Sequence, residues 1–160
     1  MRTNQSRRVG LGLSLAALFM VGGQLMDLAA EGRDVSADEL EAIHLGKTAA
    51  LIAASVTMGA IAGGADDETI DHLDVFGLRL GLAFQTVDDI LDLTGSDAEL
   101  GKTSGRDQAL SKATYPALFG LEGAERFSRR LAEEASRQLS IVPNGDVLQD
   151  IVEYVIERTH

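Results

Sequence analysis

Three carboxylates, Asp88, Asp89 and Asp92, stand in the run FQTVDDILDL among Phe84, Val87, Ile90, Leu91 and Leu93. On a helix, Gln85, Asp88, Asp89 and Asp92 fall at i, i+3, i+4 and i+7 and share one face. Like charges at that spacing repel, and Asp is itself a poor helix former. A solvated outer face would tolerate them, but the apolar residues around them leave little room for one. The pattern fits a helix buried on most sides whose carboxylates look into a cavity, where a hard divalent cation offsets the repulsion. Mg²⁺ suits such a place, because it takes one or two carboxylates together with substrate phosphates and water. A calcium EF-hand is rejected, since the run DDILD lacks the alternating oxygen ligands of that loop.

Cations accompany the acids. Lys102 follows Gly101, Lys112 precedes Ala-Thr-Tyr-Pro, and Lys47 is the only charged residue between positions 45 and 65. A lone ammonium in an apolar helix is costly unless its stem snorkels to solvent or it meets an anion. Three Lys and three Asp directed at one place point to a polyphosphate held partly by metal and partly by ammonium groups.

The elements that must position these groups read as helices. An apolar helix spans about 9 to 30 and stops near Glu31-Gly32. Ser36 and Glu39 form a capping box that opens a second helix to about Ala62, which Gly63-Gly64 ends. Asp66 or Asp67 caps a third segment from 67, which can run on through 93. Thr94 to Asp107 contains Gly95, Gly101 and Gly105 and reads as a loop. Asp107 to Pro116 holds a short element, and helices at about 117–140 and 144–158 follow. No segment alternates as a strand would.

Composition agrees with an all-α, single-domain reading of residues 1–160. Aromatics are 4% and prolines 2, while Ala and Leu abound. An apolar content of 45% excludes a disordered chain. The net charge of −11 argues against nucleic acid as a partner. Without Cys there is neither a disulfide framework nor a thiolate metal site. The N-terminal MRTNQSRRVGLGLSLAALFMVGG has the charge and apolar run of a signal peptide, but the run is short for a membrane span and continues into QLMDLAAEG. It is read as a buried first helix, with no stable membrane span and a cytoplasmic location. His44, His72 and His160 show no metal spacing, and His44 reads as a core-edge residue.

FQTVDDILD followed by GKTSGRD and SKATYP resembles the second aspartate-rich motif of the trans-isoprenyl diphosphate synthases with its downstream loop. MVGGQLMDLAAEG and LGKTAALIAASVTMGAIAGG resemble the helices that precede it, so the likeness runs roughly from 19 to 123. The resemblance implies an isoprenoid-synthase helical bundle, here its C-terminal half. It also implies a short-chain, farnesyl- or geranylgeranyl-type prenyltransferase that joins an allylic diphosphate to isopentenyl diphosphate with Mg²⁺. By matching position, Asp88 would ligate Mg²⁺, with Asp89 and Asp92 supporting it directly or through water. Lys47 and Lys102 would bind the allylic diphosphate, Lys112 would lie near it, and Thr48 and Gln85 would flank the reacting centre.

Members also carry a first aspartate-rich motif with an Arg pair, and neither stands before residue 19. Asp66-Asp67-Glu68-Thr69-Ile70-Asp71 is no substitute, because its third acid falls one position late and helix capping explains it. Turnover by this chain alone is therefore not expected. A homo- or hetero-oligomer is expected, because a half-bundle leaves apolar faces open. The alternative is a non-catalytic helical partner subunit of a full-length synthase.

Overall fold

Helix signals in the sequence become helices wherever the chain is described. The structure, a computed structural model, describes residues 2–100 and 113–158, with side-chain surroundings for 14–94 and 113–158. Its helices are α1 (Arg2–Ala30), α2 (Ala37–His44), α3 (Ala50–Gly63), α4 (Asp67–Leu100), α5 (Tyr115–Phe119), α6 (Leu121–Gln138) and α7 (Asp146–Glu157). A π-helical turn, Leu45–Ala49, joins α2 to α3, and a 3₁₀ turn, Leu139–Ile141, follows α6. No strand occurs among the described residues, so the chain is all-α as expected.

The caps read from the sequence form. Glu39 N–H donates to Ser36 Oγ at 3.2 Å and Ser36 N–H to Glu39 Oε2 at 3.1 Å, closing the capping box. Gly64 ends α3 with φ at 81°, where a side chain would be strained. Asp66 caps α4 by accepting from Thr69 N–H at 2.8 Å, and the hydrogen bonds from Thr69 hold its carboxyl below the usual range.

Three boundaries differ from the sequence expectation. The second helix is interrupted by the π turn. The third segment is one continuous helix reaching Leu100, where a loop was expected from Thr94; Thr94 Oγ1 bonds back to Ile90 O at 2.9 Å and stays within the helix. The expected helix 117–140 starts earlier, at Tyr115, and breaks at Gly120, whose φ is 71°. Of the element expected over 107–116, residues 107–112 lie outside the described residues, and Tyr115 and Pro116 open α5.

α4 is the axis of the fold. One side packs on α6 and α7 through Leu73, Phe76, Leu80, Ala132, Ala135, Val152 and Val155, all buried. A second cluster ties α2 and α5 to its far end through Leu40, Ile43, Ile90, Tyr115 and Ala124. The other side meets the π turn and α3 closely: a Cβ on Gly81 would come within 2.4 Å of Ala49 Cα and one on Gly77 within 2.3 Å of Ala53 Cα, so only glycine allows this approach. Gly23 on α1 meets the π turn in the same way, since its Cβ would lie 2.2 Å from Lys47 N.

α1 departs from the expected buried helix. Ala16 and Ala30 are buried, but Leu18, Phe19, Leu25 and Leu28 are more than half exposed. Ala37–Gly63 has the length and mean hydropathy, 1.5, to cross a membrane by composition alone. Two of its faces are used within the fold, however, against α1 and α4, and Lys47 near its middle is paired with α1.

Candidate functional site

The polar groups collect where the π turn, α1 and the second half of α4 meet. π-Helical turns are rare and tend to sit at functional places, because the extra residue re-aims its side chains. This one presents Lys47 and Thr48. Thr48 Oγ1 donates to Gln85 Oε1 at 3.0 Å, bringing together two residues expected to flank one centre. Lys47 Nζ pairs with Asp27 Oδ2 on α1, each side chain about one-third exposed. The ammonium therefore meets an anion, as its isolation in an apolar stretch requires. Asp27 is itself the only charged residue between Val9 and Ala30. Two lone opposite charges in neighbouring apolar helices are a signal that the sequence reading did not use.

The acidic face of α4 splits. Asp88 is half-buried and accepts from Arg158 Nη2 at 2.6 Å, while the same nitrogen reaches Phe84 O at 2.9 Å. The guanidinium lies 3.8 Å above the centroid of the Phe84 ring, a stacked cation–π arrangement. Burial pushes the Asp88 carboxyl above its usual range; Arg158 opposes the shift, and the charges of Asp92 and Asp89 add to it. Asp92, one turn on, is exposed. Asp89 turns inward instead, at 7% exposure, where its Oδ2 lies 3.3 Å from His44 Nε2 and accepts from Tyr115 N–H at 3.1 Å. The shared face read from the sequence therefore holds for Gln85, Asp88 and Asp92, with Asp89 rotated to its inner edge.

Lys102 and Lys112 lie outside the described residues. Arg158, Asp27 and His44 are contacts that sequence reasoning missed. Arg158 had no signal, since a basic residue closing an amphipathic helix is explained by the helix dipole alone. Among the described residues no three His, Asp or Glu side chains are grouped to hold a metal ion by themselves. The oxygen donors of Asp88 and Asp92 nevertheless suit Mg²⁺, which completes its shell with phosphate and water. The repulsion that helps to raise Asp88 is also what an added cation would relieve. Beside this corner runs an open apolar trough of about 810 Å³ between α1, α3 and α4, lined by Leu15, Phe19, Met26, Ala53, Thr57 and Leu78 among others.

An acid-lined helix, a lysine–threonine turn facing it and an adjoining apolar trough form a recognisable arrangement. The polyprenyl synthetase family pattern matches residues 5–154. The chain belongs to that family. Over 122 residues it is 50% identical to the chloroplastic geranylgeranyl pyrophosphate synthase of Catharanthus roseus, covering 76% of this chain and 34% of the relative. Over 144 residues it is 45% identical to the farnesyl diphosphate synthase of Escherichia coli, covering 87% of this chain and 48% of the relative. The crystal structure of the Helicobacter pylori geranyltransferase complexed with magnesium and isoprenyl diphosphate aligns with a TM-score of 0.67 at 36% identity, over 87% of this chain and 46% of that one. This polyprenyl synthetase family chain thus spans between a third and a half of the length of these relatives.

Proposed function

We propose that this chain contributes the cation-and-diphosphate side of a short-chain trans-prenyltransferase site, in which an allylic diphosphate is joined to isopentenyl diphosphate. The observation that carries the reading is the outward face of α4, with Gln85, Asp88 and Asp92 in line and Thr48 hydrogen-bonded to the first of them. Its relatives are named as geranylgeranyl and farnesyl diphosphate synthases, and one was solved with magnesium and an isoprenyl diphosphate.

In this reading Asp88 and Asp92 hold Mg²⁺, and Asp89 supports them from within. When bound, the ion supplies positive charge that stabilises the diphosphate as it leaves the allylic carbon. Lys47, anchored by Asp27, directs its ammonium group to the diphosphate oxygens, and the family resemblance assigns Lys102 to the same diphosphate and Lys112 to its neighbourhood. The Thr48–Gln85 pair keeps a carbonyl and a hydroxyl oxygen beside the allylic carbon, where their dipoles favour developing positive charge. The apolar trough takes the hydrocarbon tail and excludes water from it. The reading assigns the work to the cytoplasm.

The reading covers only this side of the site, because the single acidic face among the described residues supplies only part of the charge stabilisation such an ionisation demands. The exposed apolar residues of α1 also favour a second reading, in which the chain is a non-catalytic partner of a longer synthase. Calorimetric titration with geranyl diphosphate, with and without Mg²⁺, on the wild type and Asp88→Ala separates the two. Mg²⁺-dependent binding lost in the variant supports the first reading, and no binding by either protein leaves the second.

A further inference from the structure

We infer that His44 is a positioning residue, acting through Asp89 to fix the rotation of α4 so that Asp88 and Asp92 face outward, and that Asp89 serves this fastening instead of ligating the cation. The inference rests on the proposed cation role of α4 and refines it.

Consecutive helical residues are turned about 100° from one another, so Asp88 and Asp89 cannot point the same way. The structure resolves the conflict by giving each its own partner. Asp89 Oδ2 has two: His44 at the end of α2 and the Tyr115 amide at the start of α5. A carboxylate only accepts, so His44 Nε2 is the donor to Asp89, and Nδ1 is buried without a partner. His44 is 4% exposed and Tyr115 1%, and their rings lie 5.4 Å apart, which leaves His44 little freedom to turn elsewhere.

The fastening is placed where rotation matters. His44 directly precedes the π turn that carries Lys47 and Thr48, and Asp89 directly follows Asp88. One hydrogen bond therefore ties the lysine–threonine turn to the register of the acidic face. The Tyr115 amide adds the point at which the chain returns after the segment bearing Lys102 and Lys112. A cation ligand would need oxygens on the open side of α4; Asp88 also gives one oxygen to a partner, Arg158, but its side chain is 37% exposed, against 8% for Asp89.

The test uses the whole chain with Mn²⁺ and inorganic pyrophosphate as the probe, read by calorimetry alongside thermal unfolding. Asp88→Asn should lose Mn²⁺-dependent pyrophosphate binding by about tenfold or more, as removal of a ligand does. Asp89→Asn keeps an oxygen acceptor for His44 and should stay within about threefold of the wild type, with a lowered melting temperature. His44→Leu should melt lower still and, while folded, weaken the same binding by about tenfold, the scale of a lost supporting partner. His44→Gln, whose amide N–H can stand in for Nε2–H, should restore most of both. Loss of binding in Asp89→Asn equal to that of Asp88→Asn would overturn the assignment. So would a His44→Leu protein whose melting and binding are both unchanged, or one that melts lower with its affinity intact. If the wild type binds no Mn²⁺–pyrophosphate, the cation reading of α4 falls. The fastening is then still decided by the melting temperatures of His44→Leu, His44→Gln and Asp89→Asn.

Discussion

The two sides of α4 are finished to different degrees. Toward α6 and α7, Phe76 and Ala135 are wholly buried and Leu73, Leu80, Val152 and Val155 nearly so. Toward α1, the helices approach closely through Gly23, Gly46 and Gly81, yet Leu18 and Leu25 remain 68% and 62% exposed. The first side is a packed core, although Val147 and Tyr154 on the far face of α7 are themselves 67% and 70% exposed. The second is a close-packed seam with an apolar surface beyond it, of the kind that marks an interaction face. The proposed site lies where the two sides meet, with Gln85 bonded to Thr48 of the π turn and Asp88 to Arg158 beyond α7. The ionising, water-sensitive reaction proposed for it needs walls, and the described residues supply one of them.

The sharpest way to break that contrast is a pair of truncations. Phe76→Ala should cost about 3–5 kcal/mol in denaturant unfolding, the range for a large buried aromatic. Leu25→Ala in an unassociated chain should cost less than about 0.5 kcal/mol, as surface substitutions do. Similar costs at the two positions would abolish the distinction.

The open face should also show itself in solution. Sedimentation should find the chain associated with itself or a partner, and Leu18→Glu with Leu25→Glu should return it toward the 17.0 kDa monomer. A cleanly monomeric wild type that melts cooperatively would refute this.

The smallest effect concerns Asp74, which lines the trough. Burial, and then the charge of Asp71, hold its carboxyl above the usual range. A raised folded pKa means that the fold favours the protonated form, so this contribution is full below the unfolded pKa and is lost as pH rises through the folded one. Asp74→Asn should therefore raise the melting temperature by about 1–2 °C at neutral pH, and the gain should vanish below about pH 4. An Asp74→Asn protein that melts lower at neutral pH would show that the ionised carboxylate is favoured there.

The seam and the site were not equally legible in the sequence. Ser36, Glu39, Gly64 and Asp66 announced their helix ends because caps are made by side chains only a few residues apart. Thr48 and Gln85 were singled out by the family resemblance, and the fold brings them into contact. The π turn was hidden, since it sits where Gly46 lies against Gly23 on another helix, a contact that no local propensity announces. Asp27 and Lys47 could have been paired from their isolation alone. His44 and Asp89 could not, because a face computed from helical spacing treats adjacent carboxylates as equivalent until a third element offers one of them a donor. Arg158 meets Asp88 across 70 residues, a separation over which no local pattern operates.

The central claim is that the outward carboxylates of α4 bind a divalent cation together with a diphosphate. Electron paramagnetic resonance of Mn²⁺ in the presence of geranyl diphosphate, on the wild type and on Asp88→Asn with Asp92→Asn, tests it most directly. The account predicts that the free Mn²⁺ signal falls on adding wild-type protein, only when the diphosphate is present, and is unaffected by the double variant. Equal loss of signal with both proteins, or none with either, would contradict it.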